Sequence, residues 1–463
     1  MTVRNSFVSR YSSGARESPH WNEYMETMPR EELDELHLER IRRNVEYAYN
    51  NIDFYREIWD DTGVKPRDIK TLEDFNTKVP IIDKPDLMKL QQRNDDNPFR
   101  GRDISGSEHH TYRFQTSGTT GEPLKEAITQ PGAMAVGDAW NYGFWRCGMR
   151  PQHTFYFAFP FGTFLGFWSA YWGVRRLGGT VRSGAGKSTE ERIQDIVDLE
   201  PEVVVMTPTY AMHMLEKADE MGIDLSEAGV EYTVHAGEKG PYVDSVRTRI
   251  QEGWDANIWD AYGQSESIFL AQTMDLDAEG VHPCEPYYYS VVVDPETDEV
   301  LEEDGARGEH IVTCHIPTAP GLTLRYRTHD IVEVYSEATT EYDTDLTWKF
   351  FKGSVLDRTD NMLTIRGTNV YPRAVEEIMT DVEGATPHYE IHVGRESGND
   401  TVTVKMEADP SLKDSEYDDL TERLQQEIQQ AVGVRMGFDV KPPQELPRYE
   451  LKSRRFFNHR ESV

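Results

Sequence analysis

The segment Thr116-Ser117-Gly118-Thr119-Thr120-Gly121-Glu122-Pro123 combines hydroxyl side chains and glycines in one short stretch. Glycine lets a backbone approach a polyanion closely, and successive N–H groups in such a loop form a concave anion-binding nest. The Gly-Lys-Ser/Thr ending of a Walker A loop is missing. A flexible linker has a similar composition, so this segment predicts a phosphate-binding loop only together with the segments that follow it.

Four further segments follow in a fixed order along the chain. They are Asp260-Ala261-Tyr262-Gly263-Gln264-Ser265-Glu266, Arg325-Tyr326-Arg327-Thr328-His329-Asp330, the stretch 357–372, and Leu446-Pro447-Arg448-Tyr449-Glu450-Leu451-Lys452. With the first segment they resemble the ordered motifs of the adenylate-forming superfamily of acyl-CoA synthetases. The stretch 38–56 narrows the resemblance to the phenylacetate–CoA ligase branch. Three departures are Leu451, where a Gly is usual before the lysine, His329, where Gly or Arg is common, and Leu124, where many members have a Lys.

This resemblance implies an AMP-forming carboxylic acid–CoA ligase that acts on a small, aryl or arylacetic acid. Its reaction would convert ATP, the acid and coenzyme A into acyl-CoA, AMP and pyrophosphate through an acyl-adenylate. Two alternatives stay open. One is an adenylyltransferase of the coenzyme F390 synthetase type, which stops at nucleotide transfer, and the other is a catalytically inactive adenylate-binding protein.

The resemblance also assigns roles to individual residues. Lys452, Glu266 and Thr119 are expected to be catalytic, and Glu266 is expected to hold Mg²⁺. Asp360 is expected to be the hinge between two domains, and Arg366, Gly367 and Tyr371 are expected to face coenzyme A in one domain orientation. The expected nucleotide-binding residues are Ser117, Gly118, Thr119, Thr120, Gly121, Ala236, Gly237, Glu238, Asp260, Tyr262, Gly263, Gln264, Ser265, Asp330 and Arg358.

Two further groups of side chains have both a functional and a structural interpretation. Phe159, Phe161, Trp168 and Ala236 would line an acyl pocket, since aromatic walls suit an aromatic acid, or they belong to the core. His282, Cys284 and Cys314 have the ligand types of a structural Zn²⁺ site, but their irregular spacing is also that of ordinary buried side chains.

Elements of α/β type must position these groups. Short apolar runs such as Phe155–Phe159 and Val203–Thr207 predict buried strands, and helical spacing predicts a helix over 33–50. We expect an α/β fold: a large N-terminal domain of layered α/β sheets over 1–358, with a small β subdomain at about 281–334. A smaller, mobile α+β C-terminal domain over 359–463 would carry the lysine.

Composition restricts the class of protein. The 463 residues carry a formal charge of −33, which disfavours binding to nucleic acids and anionic membranes. The acidic residues are spread along the chain, and we expect a halophilic protein whose self-repulsion is screened by salt. Three cysteines and no secretory signal predict a cytoplasmic protein. Its partners would be small molecules, and a homodimer is one assembly open to it.

Overall fold

A computed structural model describes most of the chain. The described residues are 18–93, 107–116, 123–162, 165–238, 240–316, 322–336, 344–359, 363–365, 368–370, 375–376, 378–379, 382–396, 399–432, 436–449 and 455–459.

Within the described residues, helices come before the first strand, between the central strands and in the last hundred residues. They are α1 Glu23–Glu26, α2 Arg30–Asn51, α3 Asp53–Thr62, α4 Leu72–Lys78, α5 Lys84–Gln92, α6 Gln130–Arg146, α7 Leu165–Leu177, α8 Thr189–Leu199, α9 Pro208–Met221, α10 Asp244–Trp254 and α11 Tyr417–Val432. The helix predicted over 33–50 is α2. None of the helices within the described ranges combines the length and the apolar character needed to cross a membrane.

The strands fall into several sheets. They are β1 His110–Gln115, β2 Lys125–Thr129, β3 Thr154–Phe157, β4 Thr180–Ser183, β5 Val203–Val205, β6 Tyr232–Ala236, β7 Asn257–Gln264, β8 Ile268–Gln272, β9 Gly280–Pro283, β10 Tyr288–Val293, β11 Ala306–Cys314, β12 Tyr326–Tyr335, β13 Phe350–Arg358, β14 Leu363–Ile365, β15 Thr368–Val370, β16 Ala385–Glu396, β17 Asn399–Ala408, β18 Gly437–Lys441 and β19 Phe456–Asn458.

The main sheet has eleven strands in the order β10-β11-β12-β13-β9-β8-β7-β6-β5-β3-β4. Neighbouring strands among β4, β3, β5, β6 and β7 are parallel. Every neighbouring pair in the rest of the sheet, in the order β7-β8-β9-β13-β12-β11-β10, is antiparallel. The region predicted as a small β subdomain therefore continues the same hydrogen-bonded sheet as the parallel strands. The α/β fold class is confirmed.

Opposite faces of the parallel strands pack into two hydrophobic clusters. Alternate residues of a strand point to opposite faces, and accordingly Phe155 and Phe157 join one cluster while Tyr156 and Ala158 join the other. Helices α6 and α7 cover the first face, and α8, α9 and α10 cover the second. Burial on both faces explains why these strands are continuous apolar runs.

Helix α9 has clear start and stop signals. Thr207 is its N-cap and accepts a hydrogen bond from the Tyr210 backbone N–H, Pro208 occupies the first turn, and Gly222 ends the helix in the left-handed conformation. Tyr210 and Met214 bury one face of α9 in the second cluster. This helix therefore has a fixed position beside the sheet.

The described residues between 375 and 459, here called the carboxy-terminal unit, have a hydrophobic cluster of their own. Strands β18, β17, β16 and β19 form a separate sheet in that order. The apolar face of α11, with Leu420, Leu424 and Ile428, belongs to this cluster. The spacing of these residues predicts such a helix.

Residues near the start of the described chain are hydrogen-bonded to a segment more than 300 residues later. Trp348 Nε1 donates to the Met25 carbonyl oxygen at 2.8 Å, across 323 residues of sequence, and the Thr347 N–H donates to the Glu26 carbonyl at 3.1 Å. The buried Glu26 carboxylate lies 3.4 Å from Arg146 Nη1 on α6. We call these contacts the N-terminal clasp.

Candidate active site

Asp330 is the centre of a cluster formed by three strands. Its Oδ1 accepts from Arg358 Nη1 at 2.7 Å and its Oδ2 from Tyr262 Oη at 2.8 Å. Asp330 and Arg358 are directly paired in the β12–β13 register, whereas Tyr262 reaches over from β7. Sheet order therefore brings together three residues that the sequence motifs predicted separately.

The electrostatics of this cluster favour an ionised carboxylate. Asp330 is only 4% exposed, and Arg358 supplies a cation through a charge-assisted bond. Burial, and then the charge of Asp330, raise the pKa of Tyr262 well above its usual range, so the phenol stays protonated and donates. A carboxylate offers about four acceptor positions, which is the chemistry that ribose hydroxyls require.

Glu266 lies in the turn between β7 and β8 and is 5% exposed. Lys84, the first residue of α5, places its Nζ 3.2 Å from Glu266 Oε1. The backbone of Ile82 fixes this end of α5, because its N–H donates to the Arg325 carbonyl at 3.0 Å and its carbonyl accepts from the Arg327 N–H at 2.9 Å. Sequence reasoning missed Lys84, and a lysine immediately after the Asp83 N-cap is too ordinary a pattern to reveal a partner so far along the chain.

Gly263 explains the shape of this turn. A Cβ at this position would lie 2.1 Å from the Ile268 carbonyl oxygen, a distance that side-chain movement cannot relieve. The β7–β8 register shifts between Tyr262 and Gly263, so β7 and β8 approach closely just before the turn that carries Glu266. Gln264 ends β7 and Ser265 begins the turn, and both are partly exposed.

Asp260 lies at the buried base of the site. Its Oδ2 accepts from Ser354 Oγ at 3.3 Å, and its backbone N–H donates to Thr273 Oγ1 at 3.0 Å. Burial raises the pKa of Asp260 to about 7. The hydrogen bond from Ser354 lowers this pKa but offsets only part of the effect of burial. Asp260 is thus linked to β13 and to the residue that follows β8.

The segment Ala236-Gly237-Glu238 follows the carboxyl end of β6, as predicted. Gly237 has a positive φ of 84°, and Glu238 Oε2 accepts from the Thr209 backbone N–H at the start of α9. Ligand sites in α/β sheets form beyond the carboxyl ends of parallel strands, and this turn lies at such an end.

The proposed acyl-pocket aromatics form one group. Phe159 and Phe161 have ring centroids 5.8 Å apart, and Phe161 and Trp168 are 5.2 Å apart. Trp168 Nε1 donates to the Gly162 carbonyl. Phe159 is buried, whereas Phe161, Trp168 and Ala236 are partly exposed and pack against the first hydrophobic cluster. A mixture of buried and partly exposed aromatic groups suits the wall of a pocket.

Several predicted site residues lie outside the described residues. They are Ser117, Gly118, Thr119, Thr120, Gly121, Asp360, Arg366, Gly367, Tyr371 and Lys452. The flanks of the phosphate-loop segment are described and meet each other: the Thr116 N–H donates to the Leu124 carbonyl at 2.9 Å, and the Leu124 N–H donates to Thr116 Oγ1 at 3.0 Å.

The zinc interpretation of His282, Cys284 and Cys314 is corrected. Across the described ranges, no group of three or more His, Cys, Asp or Glu side chains could hold a metal ion. His282 Nδ1 lies 2.8 Å from the Lys349 carbonyl, and burial lowers its pKa to about 3. Burial also raises the pKa of Cys284 well above its usual range. These are buried side chains of the sheet, and their irregular spacing was the relevant signal.

Comparison with known families accounts for this arrangement. Residues 57–315 match the family model described as AMP-binding enzyme, and residues 367–460 match that described as AMP-binding enzyme C-terminal domain. The chain belongs to the AMP-binding enzyme family. Within that family it lies in the phenylacetate–CoA ligase-like branch, and it is a ligase that forms carbon–sulfur bonds.

Curated relatives of this AMP-binding enzyme match over nearly the whole chain. A phenylacetate-coenzyme A ligase of Thermus thermophilus is 32% identical over 443 residues, which covers 92% of this chain and 96% of that protein. A phenylacetate-coenzyme A ligase of Escherichia coli is 29% identical and covers 95% of this chain and 98% of that protein.

Solved structures of AMP-binding enzymes agree with the fold. A 2-hydroxyisobutyryl-CoA ligase in the postadenylation state superposes with a TM-score of 0.89 at 25% identity, over 98% of this chain and 95% of that chain. The same ligase with coenzyme A in the thioesterification state superposes with a TM-score of 0.72 at 26% identity, over the same shares of both chains.

Proposed function

We propose that this AMP-binding enzyme joins a small aryl or arylacetic acid to coenzyme A through an acyl-adenylate. The observation that carries the proposal is the Asp330 cluster, in which a buried carboxylate is held by Arg358 and Tyr262. Its chemistry suits the ribose of ATP. The names of the curated relatives favour an arylacetic acid.

In the first step, a carboxylate oxygen of the acid would attack the α-phosphorus of ATP. The bond between the α-phosphorus and the bridging oxygen to the β-phosphate breaks, and pyrophosphate leaves. Asp330 would hold the ribose hydroxyls, and Ala236 to Glu238 would border the adenine. Thr119, Thr120 and Lys452 would contact phosphate oxygens and stabilise the developing charge.

Glu266 fits a role beside the phosphates. It is a buried carboxylate with a lysine near one oxygen, and carboxylate oxygens are the ligands that Mg²⁺ prefers. When bound, Mg²⁺ would neutralise charge on the phosphate chain. Lys84 adds a second positive group to the same region.

In the second step, the thiol sulfur of coenzyme A would attack the acyl carbon. A carbon–sulfur bond forms, the bond from the acyl carbon to the AMP oxygen breaks, and AMP leaves with its phosphate ionised. The aromatic group at Phe159, Phe161 and Trp168 would hold the side chain of the acid. Partly exposed aromatic rings favour a flat aryl acid over a short polar one.

We also propose that residues 359–463 move as a domain about Asp360 between the two steps. The better superposition on the postadenylation state than on the thioesterification state of the 2-hydroxyisobutyryl-CoA ligase supports this proposal. The orientation described here would then be the one that forms the adenylate. Rotation would bring Arg366, Gly367 and Tyr371 toward coenzyme A.

The reaction can be tested by following three products with a panel of acids. Phenylacetate, benzoate, 2-hydroxyisobutyrate and acetate are incubated with ATP and Mg²⁺, with and without coenzyme A, and pyrophosphate, AMP and acyl-CoA are measured. We expect the highest kcat/KM with phenylacetate and AMP release that depends on coenzyme A. ADP as the sole nucleotide product would refute the ligase reaction, and preference for an alkyl acid would refute the aryl assignment.

The domain movement requires a separate test. Lys452→Ala should lose ATP–pyrophosphate exchange but still convert presynthesised phenylacetyl-adenylate to the thioester. Asp360→Pro should show the opposite pattern, because proline fixes φ and hinders rotation at the hinge. Equal losses in both half-reactions in both variants, with folding intact, would argue against movement about Asp360.

A further inference from the structure

One face of α9 contacts the carboxy-terminal unit. Glu216 Oε1 lies 2.7 Å from His388 Nε2 on β16, and Thr209 Oγ1 lies 3.4 Å from Arg455 Nη2. Residues 209 and 216 are seven positions apart, so they lie on the same side of the helix. The buried side of α9 is fixed in the second hydrophobic cluster, which makes the contacting side a rigid docking surface.

Glu216 is surrounded by cations and hydrogen-bond donors. Arg448 Nε lies 3.3 Å from its Oε2, and Arg249 Nη2, on the neighbouring helix α10, lies 3.6 Å from its Oε1. Burial alone would raise the pKa of Glu216, but the hydrogen bond and charge of His388, with Arg448 and Arg249, outweigh burial and hold the pKa at about 2. The carboxylate is therefore ionised at every pH at which the enzyme would be assayed.

A carboxylate of the carboxy-terminal unit itself orients Arg448 toward Glu216. Its Nη1 and Nη2 each donate to one oxygen of Glu407 at 2.8 Å, and Glu407 is 1% exposed. This bidentate hydrogen bond with Glu407 fixes the plane of the guanidinium and leaves its Nε–H directed at Glu216. Little side-chain freedom remains to be lost when the two units meet.

The position of these contacts in the sequence is informative. Arg448 stands four residues before the proposed catalytic Lys452, and Arg455 stands three residues after it. Arg455 is itself anchored, since its Nη1 donates to Glu376 Oε1 at 2.6 Å. Both described flanks of the lysine segment thus contact the same face of α9.

We propose that Glu216 is a positioning residue that docks the carboxy-terminal unit for adenylate formation by binding Arg448 and His388 together. This inference rests on the proposed two-step function. Glu216 would touch no substrate, and its contacts would be broken when the unit turns for thioester formation. Removing its charge should therefore slow the first half-reaction selectively.

The test uses the full-length enzyme and the two half-reactions measured separately. Glu216→Gln keeps the size of the side chain and removes its charge. We expect phenylacetate-dependent ATP–pyrophosphate exchange to fall about tenfold, as for the loss of one charge-assisted contact. Thioester formation from presynthesised phenylacetyl-adenylate should change by less than about twofold, because that step uses the other orientation.

Two kinds of variant serve as controls. Glu190→Gln removes the same charge from α8, where Glu190 pairs with Lys217, and should leave both half-reactions unchanged. Glu216→Asp keeps the charge on a shorter side chain and should restore part of the exchange rate. Arg448→Lys should slow exchange alone, and its combination with Glu216→Gln should lose no more than the larger single effect.

The outcomes separate this inference from the proposed function. If the wild-type enzyme exchanges pyrophosphate only with another acid, the substrate assignment fails and Glu216 is tested with that acid. Unchanged exchange in Glu216→Gln would overturn the docking role. Equal losses in both half-reactions, at an unchanged melting temperature, would overturn it as well.

Discussion

Lys84 is the residue for which the structure adds most to the sequence motifs. Its Nζ lies 3.2 Å from Glu266, so it adds positive charge where the proposed reaction would bring two anions together. We expect Lys84→Met to lower phenylacetate-dependent ATP–pyrophosphate exchange roughly tenfold or more, as for the loss of a group that stabilises charge in the transition state. The measurement is the initial exchange rate at saturating ATP.

A matched lysine on the same helix provides the control for Lys84. Lys89 pairs with Asp86 at the surface of α5, and exposed ion pairs contribute little. Lys89→Met should keep the wild-type exchange rate. Similar losses in both variants would mean that Lys84 acts through the stability of α5 rather than through its charge.

Asp260 gives a pH-dependent prediction. Its native pKa of about 7 lies above the ordinary value of 3.8, so the native state binds a proton that the unfolded state releases between these values. Stability is therefore lost as the pH rises toward 7. Asp260→Asn should be more stable than the wild type at pH 8, by about 2–4 kcal/mol, and close to it at pH 4.

Thermal melting of both proteins across this pH range measures the effect. Ser354→Ala removes the hydroxyl that donates to Asp260 but keeps the titrating carboxylate, so its pH dependence should persist. A difference between Asp260→Asn and wild type that is the same at pH 4 and pH 8 would contradict the role of burial.

At the scale of elements, α6 and α7 cross at close backbone distance beside the aromatic group of the proposed acyl pocket. A Cβ at Gly137 on α6 would lie 2.5 Å from the Trp172 carbonyl oxygen of α7. Because a backbone carbonyl cannot rotate away as a side chain can, relief requires α6 and α7 to shift apart, and Gly137→Ala should destabilise the protein by about 1–3 kcal/mol. The shift would also displace Trp168, on the same helix α7, and raise the KM for phenylacetate.

Gly166 on α7 is the matched position for this prediction. A Cβ there meets no atom within 4 Å, and alanine favours helix more than glycine does. Gly166→Ala should therefore melt at the wild-type temperature or slightly above it. Equal destabilisation by both substitutions in chemical denaturation would show that the helix crossing is not the cause.

The elements themselves could largely be predicted from the sequence, because local patterns determine them. The apolar run at Val203–Val205 is buried on both faces, and the spacing of Leu420, Leu424 and Ile428 indicates α11. The order of strands could not be predicted. Strand β9 lies between β8 and β13, and only this placement joins the predicted β region to the parallel strands.

Sequence motifs single out residues one by one, whereas the contacts between side chains from distant elements come from the fold. Tyr262, Asp330 and Arg358 belong to motifs, and the structure brings them into contact. Lys84 and Glu216 belong to none, since their partners are determined by the packing of distant elements. A single sequence carries no local signal for such pairs.

For the whole molecule, the charge of −33 is the dominant electrostatic property. The repulsion between like charges destabilises the compact state, and the screening length falls from about 10 Å at 0.1 M salt to about 3 Å at 1 M. We expect the melting temperature to be higher in about 2 M KCl than in dilute buffer. Circular dichroism at both salt concentrations measures this, and a melting temperature independent of KCl would contradict salt adaptation.

The N-terminal clasp has a consequence for the order in which the protein can fold during synthesis. The backbone carbonyls of Met25 and Glu26 find these donors only when Thr347 and Trp348 have been made. At about 5–20 residues per second, that delay is on the order of tens of seconds. Throughout this interval the buried segment of α1 lacks these native hydrogen bonds on the ribosome, so the amino-terminal end of the chain can reach its final position only late in synthesis.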